Sequence, residues 1–282
     1  MTTIDPALKI RLARLAVSDL DASAEFYERV LGLPLIERDE EHALLGAEPA
    51  RPALELVALS EPGPVPPHST GLFHVAWLHP SRAALADTVR RIGAARWPFT
   101  GASDHGVSEA FYLDDPDGLG IEVYADRPRE QWGRTPGGGY EIYTAPLDVA
   151  DLLAASRSEP EPRVAPGTGI GHVHLKVSDV DRSDRFYTSL GFERQALIPQ
   201  AAFVSAGGYH HHLGLNTWQS AGGAPAPADA PGLRLVAFEL AGADAVAAVA
   251  AAAGDAAGPG SREGELLLSG PDGETLSFAP AD

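Results

Sequence analysis

The stretch that decides the fold occurs twice, as LARLAVSDLDASAEFYERVLGLPL at residues 12–35 and as HVHLKVSDVDRSDRFYTSLGFER at residues 172–194. Both copies contain the tripeptide VSD, at Val17 and Val177, and the dipeptide FY nine residues later. A match of spacing and residue type at one fixed offset is typical of an internal repeat. The two halves of the chain are therefore predicted to be copies of one structural unit.

Each half divides again into two similar modules. Alternating apolar residues predict a strand, an amphipathic segment predicts a helix after it, and three short strands follow. Asp19 or Asp21 is expected to cap the first helix, and Ser81 the second. The sequence thus predicts an α+β protein of four βαβββ modules, at residues 8–60, 71–126, 169–218 and 232–280.

These modules are expected to form two domains of curved mixed sheets with helices on their outer faces. The first domain would span residues 8–126 and the second residues 169–282. Residues 127–168 are rich in Pro, Gly and Arg and are expected to form a linker that carries a short strand and a helix.

Composition narrows the range of functions. The 282 residues carry a formal net charge of −18, which argues against nucleic acid as a partner because phosphates need Lys and Arg. The chain contains no cysteine, so any metal site must use His, Asp or Glu. No apolar run is long enough for a membrane span and no signal peptide is evident, so we expect a cytoplasmic protein without a membrane partner.

Strand alternation decides which side chains share a face. In HVHLKV the apolar residues point to the helices, so His172 and His174 point into the concave side of the sheet. The equivalent of His172 in the second module is His74. In GIEVY the same argument places Glu122 and Tyr124 on the concave side. Potential metal ligands are therefore expected on the open faces of short curved sheets.

At this point the sequence resembles a known family. Paired βαβββ modules with a histidine on a first strand and a glutamate after a PDG turn look like the vicinal oxygen chelate superfamily. Its members include glyoxalases, antibiotic-binding proteins and extradiol ring-cleaving dioxygenases. The resemblance covers nearly the whole chain, but a shared fold does not fix the reaction.

HGVSEAFYLDDPDGLGIE, at residues 105–122, resembles the extradiol signature more closely and is most like bacterial catechol 2,3-dioxygenases. The chain departs from that signature two residues before this stretch, at Ser103, where the family usually has Gly, Asn, Thr, Ile or Val. The resemblance implies that His74 and Glu122 bind a metal, and that His105 and Tyr112 lie close to substrate and oxygen. It also implies an Fe(II) cofactor, with Mn(II) or Zn(II) as replacements after aerobic purification, and a small aromatic diol and O₂ as substrates.

The third metal ligand must come from another module. Leu12 stands where a ligand is expected in module one, and Leu235 and Ser277 stand at the ligand positions of module four. Module three supplies His172. The sequence therefore predicts a two-histidine, one-carboxylate site, typical of non-heme Fe(II) enzymes, built by modules two and three, with modules one and four as a metal-free support.

YHHHLGLN, at residues 209–216, adds further candidates. Strand alternation places His210 and His212 on the cavity side and His211 with the leucines, unless a bulge shifts the register. We expect His212 to act in catalysis, and His174, His210 and Tyr124 to contact the substrate. The remaining histidines, which are expected at the surface without a role, are His42, His68 and His79.

A second class of function stays open. A glyoxalase-type isomerase or a protein that sequesters small molecules could use the same fold, and glyoxalases usually complete a four-ligand site. The spacing of His105, Tyr112 and Glu122 favours the dioxygenase. We also expect the protein to form a homo-oligomer.

Overall fold

The computed structural model describes residues 3–156, 159, 161–260 and 264–281. In this part of the chain the strands of the first half are β1 (Lys9–Val17), β2 (Leu35–Arg38), β3 (His42–Leu45), β4 (Leu54–Ala58), β5 (Gly71–Leu78), β6 (Gly101–Asp104), β7 (Ser108–Asp114) and β8 (Gly120–Asp126). Those of the second half are β9 (Gly169–Lys176), β10 (Glu193–Ile198), β11 (Ala201–Ser205), β12 (Leu213–Asn216), β13 (Gly232–Leu240), β14 (Ala257–Pro259), β15 (Leu266–Ser269) and β16 (Thr275–Pro280).

Helices are fewer and mostly short. The α-helices of the described residues are α1 (Leu20–Glu25), α2 (Arg82–Ala94), α3 (Val149–Ala154), α4 (Val180–Ser189) and α5 (Ala243–Ala253). A π-helical turn over Phe26–Val30 extends α1, and 3-10 turns occupy Arg129–Gln131 and Gly254–Ala256. None of the helices in the described residues is long and apolar enough to cross a membrane.

The strands form two eight-stranded sheets, each of which combines one module from each half of the sequence. The first has the order β14-β15-β16-β13-β1-β4-β3-β2, and the second has the order β10-β11-β12-β9-β5-β8-β7-β6. The central pairs β1–β13 and β5–β9 are antiparallel, whereas β1–β4, β5–β8, β9–β12 and β13–β16 are parallel. The predicted α+β class with mixed sheets is thus confirmed, and module two shares its sheet with module three.

The helix starts follow from their capping residues. Asp19 Oδ1 accepts a hydrogen bond from the backbone N–H of Ala22, at 2.9 Å, and Asp179 Oδ1 accepts one from Arg182 in the second half, at 2.8 Å. Ser81 Oγ accepts one from Ala84, at 3.1 Å. Of the two caps considered for the first helix, Asp19 is the one used. Each cap satisfies a backbone donor that has no partner within its helix.

The repeated FY dipeptide ties the two modules of each half together. The hydroxyl of Tyr27, in module one, donates to Asp115 of module two at 3.1 Å. The hydroxyl of Tyr187, in module three, donates to Glu274 of module four at 2.7 Å. Both acceptors lie at the PDG turns. The repeated residues therefore link the two sheets, since the two modules of each half belong to different sheets.

Two expectations about local structure were wrong. The linker contains the predicted helix α3 but forms no strand over its described residues. Instead it contacts two sheet edges: Asp104 and Ala145 each donate a backbone N–H to the other's carbonyl at 2.9 Å, and Tyr140 N–H donates to Gln195 O at 3.1 Å.

His79, expected at the surface, is buried, because its Nδ1 lies 3.1 Å from the Trp77 carbonyl and its Nε2 lies 2.9 Å from Thr88 Oγ1. The domain boundaries stay predictions. Residues 157, 158 and 160 of the predicted linker, and 261–263 and 282 of the predicted second domain, lie outside the described residues.

Candidate metal centre

His74, Glu122 and His172 meet on the concave face of the second sheet. His74 is on β5, and β9 and β8, which carry His172 and Glu122, are the two neighbours of β5. The Nε2 atoms of the two histidines are 3.3 Å apart. Glu122 Oε2 lies 3.0 Å from Nε2 of His74 and 3.2 Å from Nε2 of His172. All three side chains are buried.

The size of this triangle fits a divalent metal ion. Two atoms that each lie about 2.1 Å from an ion, about 90° apart around it, are about 3.0 Å from each other. The three separations of 3.0, 3.2 and 3.3 Å match that value. Among the described residues these three are the set whose His, Asp or Glu atoms lie close enough together to hold an ion. The geometry suits three neighbouring positions on one face of a metal.

The protonation of the cluster also suits a cation. Burial would raise the pKa of the Glu122 carboxyl, but His172 and His74 beside it hold that pKa well below its usual value. Burial lowers the pKa of His172 to about 4. The cluster thus offers an ionised carboxylate and at least one neutral imidazole, which are the forms that bind metals.

Tyr112 and His105 form a hydrogen-bonded pair at the edge of the cluster. Tyr112 lies opposite Glu122 across β7 and β8, and its ring centroid is 5.8 Å from that of His74. The Tyr112 hydroxyl lies 2.5 Å from Nε2 of His105, whose Nδ1 lies 2.6 Å from the carbonyl oxygen of Tyr143. Since a carbonyl only accepts, His105 carries its proton on Nδ1 and accepts the Tyr112 proton at Nε2. Burial and the charge of Glu122 raise the pKa of Tyr112 well above its usual value, so its hydroxyl keeps its proton.

The linker holds this pair in place. Tyr143 packs over Gly106, where an added Cβ would lie 2.6 Å from the Tyr143 ring. Gly106 also has φ +77°, a conformation that residues with side chains rarely adopt. Glycine at this position therefore lets the Tyr143 carbonyl reach His105.

The three consecutive histidines do not alternate as expected. The strand β12 begins only at Leu213, so residues 210–212 precede it and lack strand alternation. His211, expected to point with the leucines, instead packs on His172 with ring centroids 4.0 Å apart. Its Nδ1 lies 2.7 Å from Nδ1 of His210, whose Nε2 lies 2.8 Å from Asp126 Oδ1.

His212 and Tyr124 make their hydrogen bonds within the protein, and their predicted roles in catalysis and substrate binding stay predictions. Nδ1 of His212 accepts a hydrogen bond from the backbone N–H of Ala206 at 3.2 Å, and the side chain lines a cleft between the two sheets. The ring of Tyr124 lies 4.9 Å from that of His172. Its hydroxyl is hydrogen-bonded to that of Tyr209 at 2.7 Å.

His174 belongs to an aromatic wall beside the cluster. Its ring centroid is 5.0 Å from His74, 5.1 Å from Phe73 and 5.5 Å from Trp218. Gly214 makes room for it, because an added Cβ there would lie 2.7 Å from the His174 ring. This wall leads from the buried cluster to Trp218, whose relative exposure is 46%.

The sequence of the chain matches a known superfamily and a curated relative. A model of the glyoxalase/bleomycin resistance protein/dioxygenase superfamily matches residues 9–123 and 169–278. The chain belongs to this superfamily. It is 41% identical over 240 residues to a catechol-2,3-dioxygenase of Bacillus subtilis (strain 168), and the match covers 83% of both chains.

Two solved structures share this fold at low sequence identity. The crystal structure of a Bacillus subtilis protein aligns with a TM-score of 0.66 and 15% identity, over 99% of this chain and 86% of that one. Glyoxalase I from Zea mays aligns with a TM-score of 0.59 and 18% identity, over 97% of this chain and 92% of that one. At these identities the two alignments support a shared fold and nothing about function.

Several residues beside the cluster were not among the residues predicted from the sequence. The structure places Asp126, Tyr143, Phe73 and Trp218 around the candidate metal centre, and places His211 there as well. Asp126 could have been suspected, because it follows Glu122 and Tyr124 on the same face of β8. Nothing in the sequence indicates that the linker carbonyl of Tyr143 reaches His105.

Proposed function

We propose that the protein is an extradiol dioxygenase that uses O₂ to open the ring of a catechol-like diol, at an Fe(II) ion held by His74, Glu122 and His172. The observation that carries this proposal is the triangle of ligand atoms, with sides of 3.0 to 3.3 Å. A two-histidine, one-carboxylate set leaves neighbouring positions open for a chelating diol and for O₂. The 41% identical relative is itself named a catechol-2,3-dioxygenase.

Fe(II) in this site would supply the electron transfer between the aromatic diol and O₂. The buried surroundings would keep water away from that chemistry. The aromatic wall of Phe73, His174 and Trp218 offers flat faces on which a diol ring can stack.

Tyr112 and His105 would orient the bound oxygen atoms. Tyr112 keeps its proton, so its hydroxyl can donate a hydrogen bond to a substrate oxygen near Glu122. His105, with its proton on Nδ1 toward the Tyr143 carbonyl, would accept the Tyr112 proton when no substrate is bound. The Tyr112 hydroxyl can therefore switch its hydrogen bond from His105 to a substrate oxygen, and neither Tyr112 nor His105 changes its charge.

His211 would receive the proton that a catechol releases on binding. With neutral rings, the Asp126 carboxylate accepts from Nε2–H of His210, which leaves Nδ1 of His210 as an acceptor. His211 must then donate from Nδ1, so its Nε2 carries the lone pair of a base. Packing of the His211 ring on His172 keeps this base beside the proposed metal. We therefore propose His211, rather than His212, for the proton-transfer role.

Anaerobic loading and oxygen uptake test the proposal. Protein loaded with one Fe(II) should consume O₂ with catechol or a substituted catechol and form a yellow ring-opened semialdehyde. Glu122→Gln should abolish both iron retention and oxygen uptake. The proposal fails if a panel of catechols causes no oxygen uptake in iron-loaded protein, and isomerisation of methylglyoxal–thiol adducts would then favour a glyoxalase. Cytoplasmic location and assembly into a homo-oligomer stay predictions.

A further inference from the structure

A cleft between the two sheets lies apart from the proposed metal centre. Its volume is about 580 Å³, and its walls come from the start of β1, the start of β9 and the loop before β12. A space of this size holds a small organic molecule. Tyr209 lines it, and the Tyr209 hydroxyl is bonded to that of Tyr124, which packs on His172. A layer of tyrosines therefore stands between this cleft and the metal centre.

Three hydrogen-bond donors on the cleft wall have no carboxylate partner within the part of the chain that the structure describes. Lys9 is exposed at the start of β1, and Arg129 reaches only the carbonyl of Gly207, at 3.5 Å, and the face of Trp132. His212 is buried, and its Nδ1 accepts from Ala206, so its Nε2 carries the proton and is left as a donor.

The carboxylates among the described lining residues do not cancel this positive charge. These carboxylates are Glu48 and Glu239, and they line the cleft together with Lys9 and Arg129. Both oxygens of Glu239 are already held by Arg51, at 2.8 and 2.6 Å. A local excess of cations is unusual in a protein whose net charge is −18.

A second cleft between the sheets provides a contrast. It measures about 370 Å³ and is lined by Lys176 and Arg234 together with Asp117, Asp272 and Glu274. The formal charges of these lining residues therefore sum to a negative value. The cationic lining is a property of the first cleft and not a general consequence of packing two such sheets.

We propose that the first cleft binds a small aromatic carboxylate, with Lys9, Arg129 and His212 as donors to the carboxylate group. The walls also contain the apolar side chains of Leu8, Ile10, Leu78 and Ile170, of which all but Leu78 are buried. They offer the apolar surface that a ring needs, and charge-assisted hydrogen bonds hold a carboxylate most strongly. This site does not depend on the proposed dioxygenase activity.

Calorimetric titration of the metal-free, full-length protein tests the proposal with benzoate as the probe and neutral benzamide as its isosteric comparison. Benzoate should bind with a dissociation constant in the low-millimolar range or tighter, and benzamide at least ten times more weakly. Lys9→Met and Arg129→Gln should each weaken benzoate at least tenfold. The chain has two lysines, so Lys176→Met is a matched control that should leave benzoate binding unchanged.

Binding at the metal centre is separated from binding in the cleft by His74→Ala, which should leave the benzoate affinity unchanged. Circular dichroism on every variant checks that the fold is retained. The proposal is overturned if benzoate fails to bind, if benzamide binds equally well, if Lys9→Met and Arg129→Gln in folded protein have no effect, or if His74→Ala abolishes binding. None of these results depends on whether the iron-loaded protein consumes oxygen.

Discussion

The Nε2 atoms of His74 and His172 lie 3.3 Å apart, although 98 positions separate the two residues in the chain. His74 belongs to the first half of the sequence and His172 to the second. They meet because β5 and β9 are the central antiparallel pair of the second sheet. A metal bound there would link the two halves of the chain, so metal binding and folding should be coupled.

Removal of one ligand should therefore affect stability as well as metal content. We expect His172→Ala to lower iron content well below one ion per chain and to abolish the rise in melting temperature that Fe(II) causes in the wild-type protein. Elemental analysis and thermal unfolding under anaerobic conditions measure both. His68→Ala, at an exposed histidine, is the matched control and should retain both properties. Full iron content in His172→Ala would remove this residue from the site.

Tyr112→Phe should slow turnover without loss of metal. The substitution removes the hydroxyl that lies 2.5 Å from Nε2 of His105, but leaves the ring that packs near His74. We expect kcat for ring opening to fall by roughly 10²-fold, the size of a typical contribution from a positioned proton donor. Iron content per chain should stay at the wild-type value. A kcat within a factor of two of wild type would exclude a catalytic hydrogen bond from Tyr112.

Asp126→Asn should change the tautomer of His211. An amide placed to donate to Nε2 of His210 would move the His210 proton to Nδ1, and His211 would then have to carry its own proton on Nε2. We expect histidine ¹⁵N NMR shifts of metal-free protein to report this exchange, and kcat to fall roughly tenfold with little change in KM.

The control for that experiment is Asp244→Asn, which makes the same chemical change at an exposed position of α5. It should alter neither the ¹⁵N shifts nor kcat. Unchanged histidine tautomers in Asp126→Asn would contradict the proposed relay, whatever the effect on turnover.

His79 should make the protein less stable in acid. Burial lowers its pKa to about 4 from an ordinary value of 6.5, so the unfolded chain binds a proton more readily than the folded one between these pH values. Stability contributed by neutral His79 is present above about pH 6.5 and is lost as the pH falls toward 4. The loss is on the order of 3 kcal/mol. Asp115 acts in the opposite direction, because burial raises its pKa to about 6.

Urea unfolding midpoints measured between pH 4 and pH 7 separate these contributions. His79→Gln should be less stable than wild type at pH 7, since it disturbs the bonds to Trp77 and Thr88, but its stability should decline less steeply toward pH 4. His68→Gln should follow the wild-type curve. Equal slopes for wild type and His79→Gln would show that His79 does not titrate in this range.

Local patterns predicted most of the fold and the three residues that meet in the candidate metal centre. Alternation in HVHLKV and GIEVY places His172 and Glu122 on one face, and the missing ligands at Leu12, Leu235 and Ser277 point to a sheet shared by modules two and three. Asp19 and Ser81 cap helices as their positions suggest. Each of these inferences rests on short-range geometry or on the comparison of equivalent positions in the repeated modules.

Tertiary contacts determine the side-chain positions that the sequence did not predict. The faces of His211 and His212 depend on where β12 begins, and the turn residues before Leu213 remove the alternation on which the prediction relied. His79 is buried because α2 supplies Thr88 as a partner nine residues later. The contact from Tyr143 to His105 depends on how the linker crosses the sheet edge, which no local pattern encodes.

The central claim is that one metal ion joins the two halves of the chain through His74, Glu122 and His172. The most direct measurement is a crystal structure of anaerobically iron-loaded protein with anomalous diffraction collected at the iron edge. We expect one strong anomalous peak per chain, at roughly 2.0–2.3 Å from Nε2 of both histidines and from a carboxylate oxygen of Glu122. A peak that lies more than about 6 Å from His172, beyond any direct coordination distance, would contradict it, as would iron-loaded crystals without a peak between the three residues.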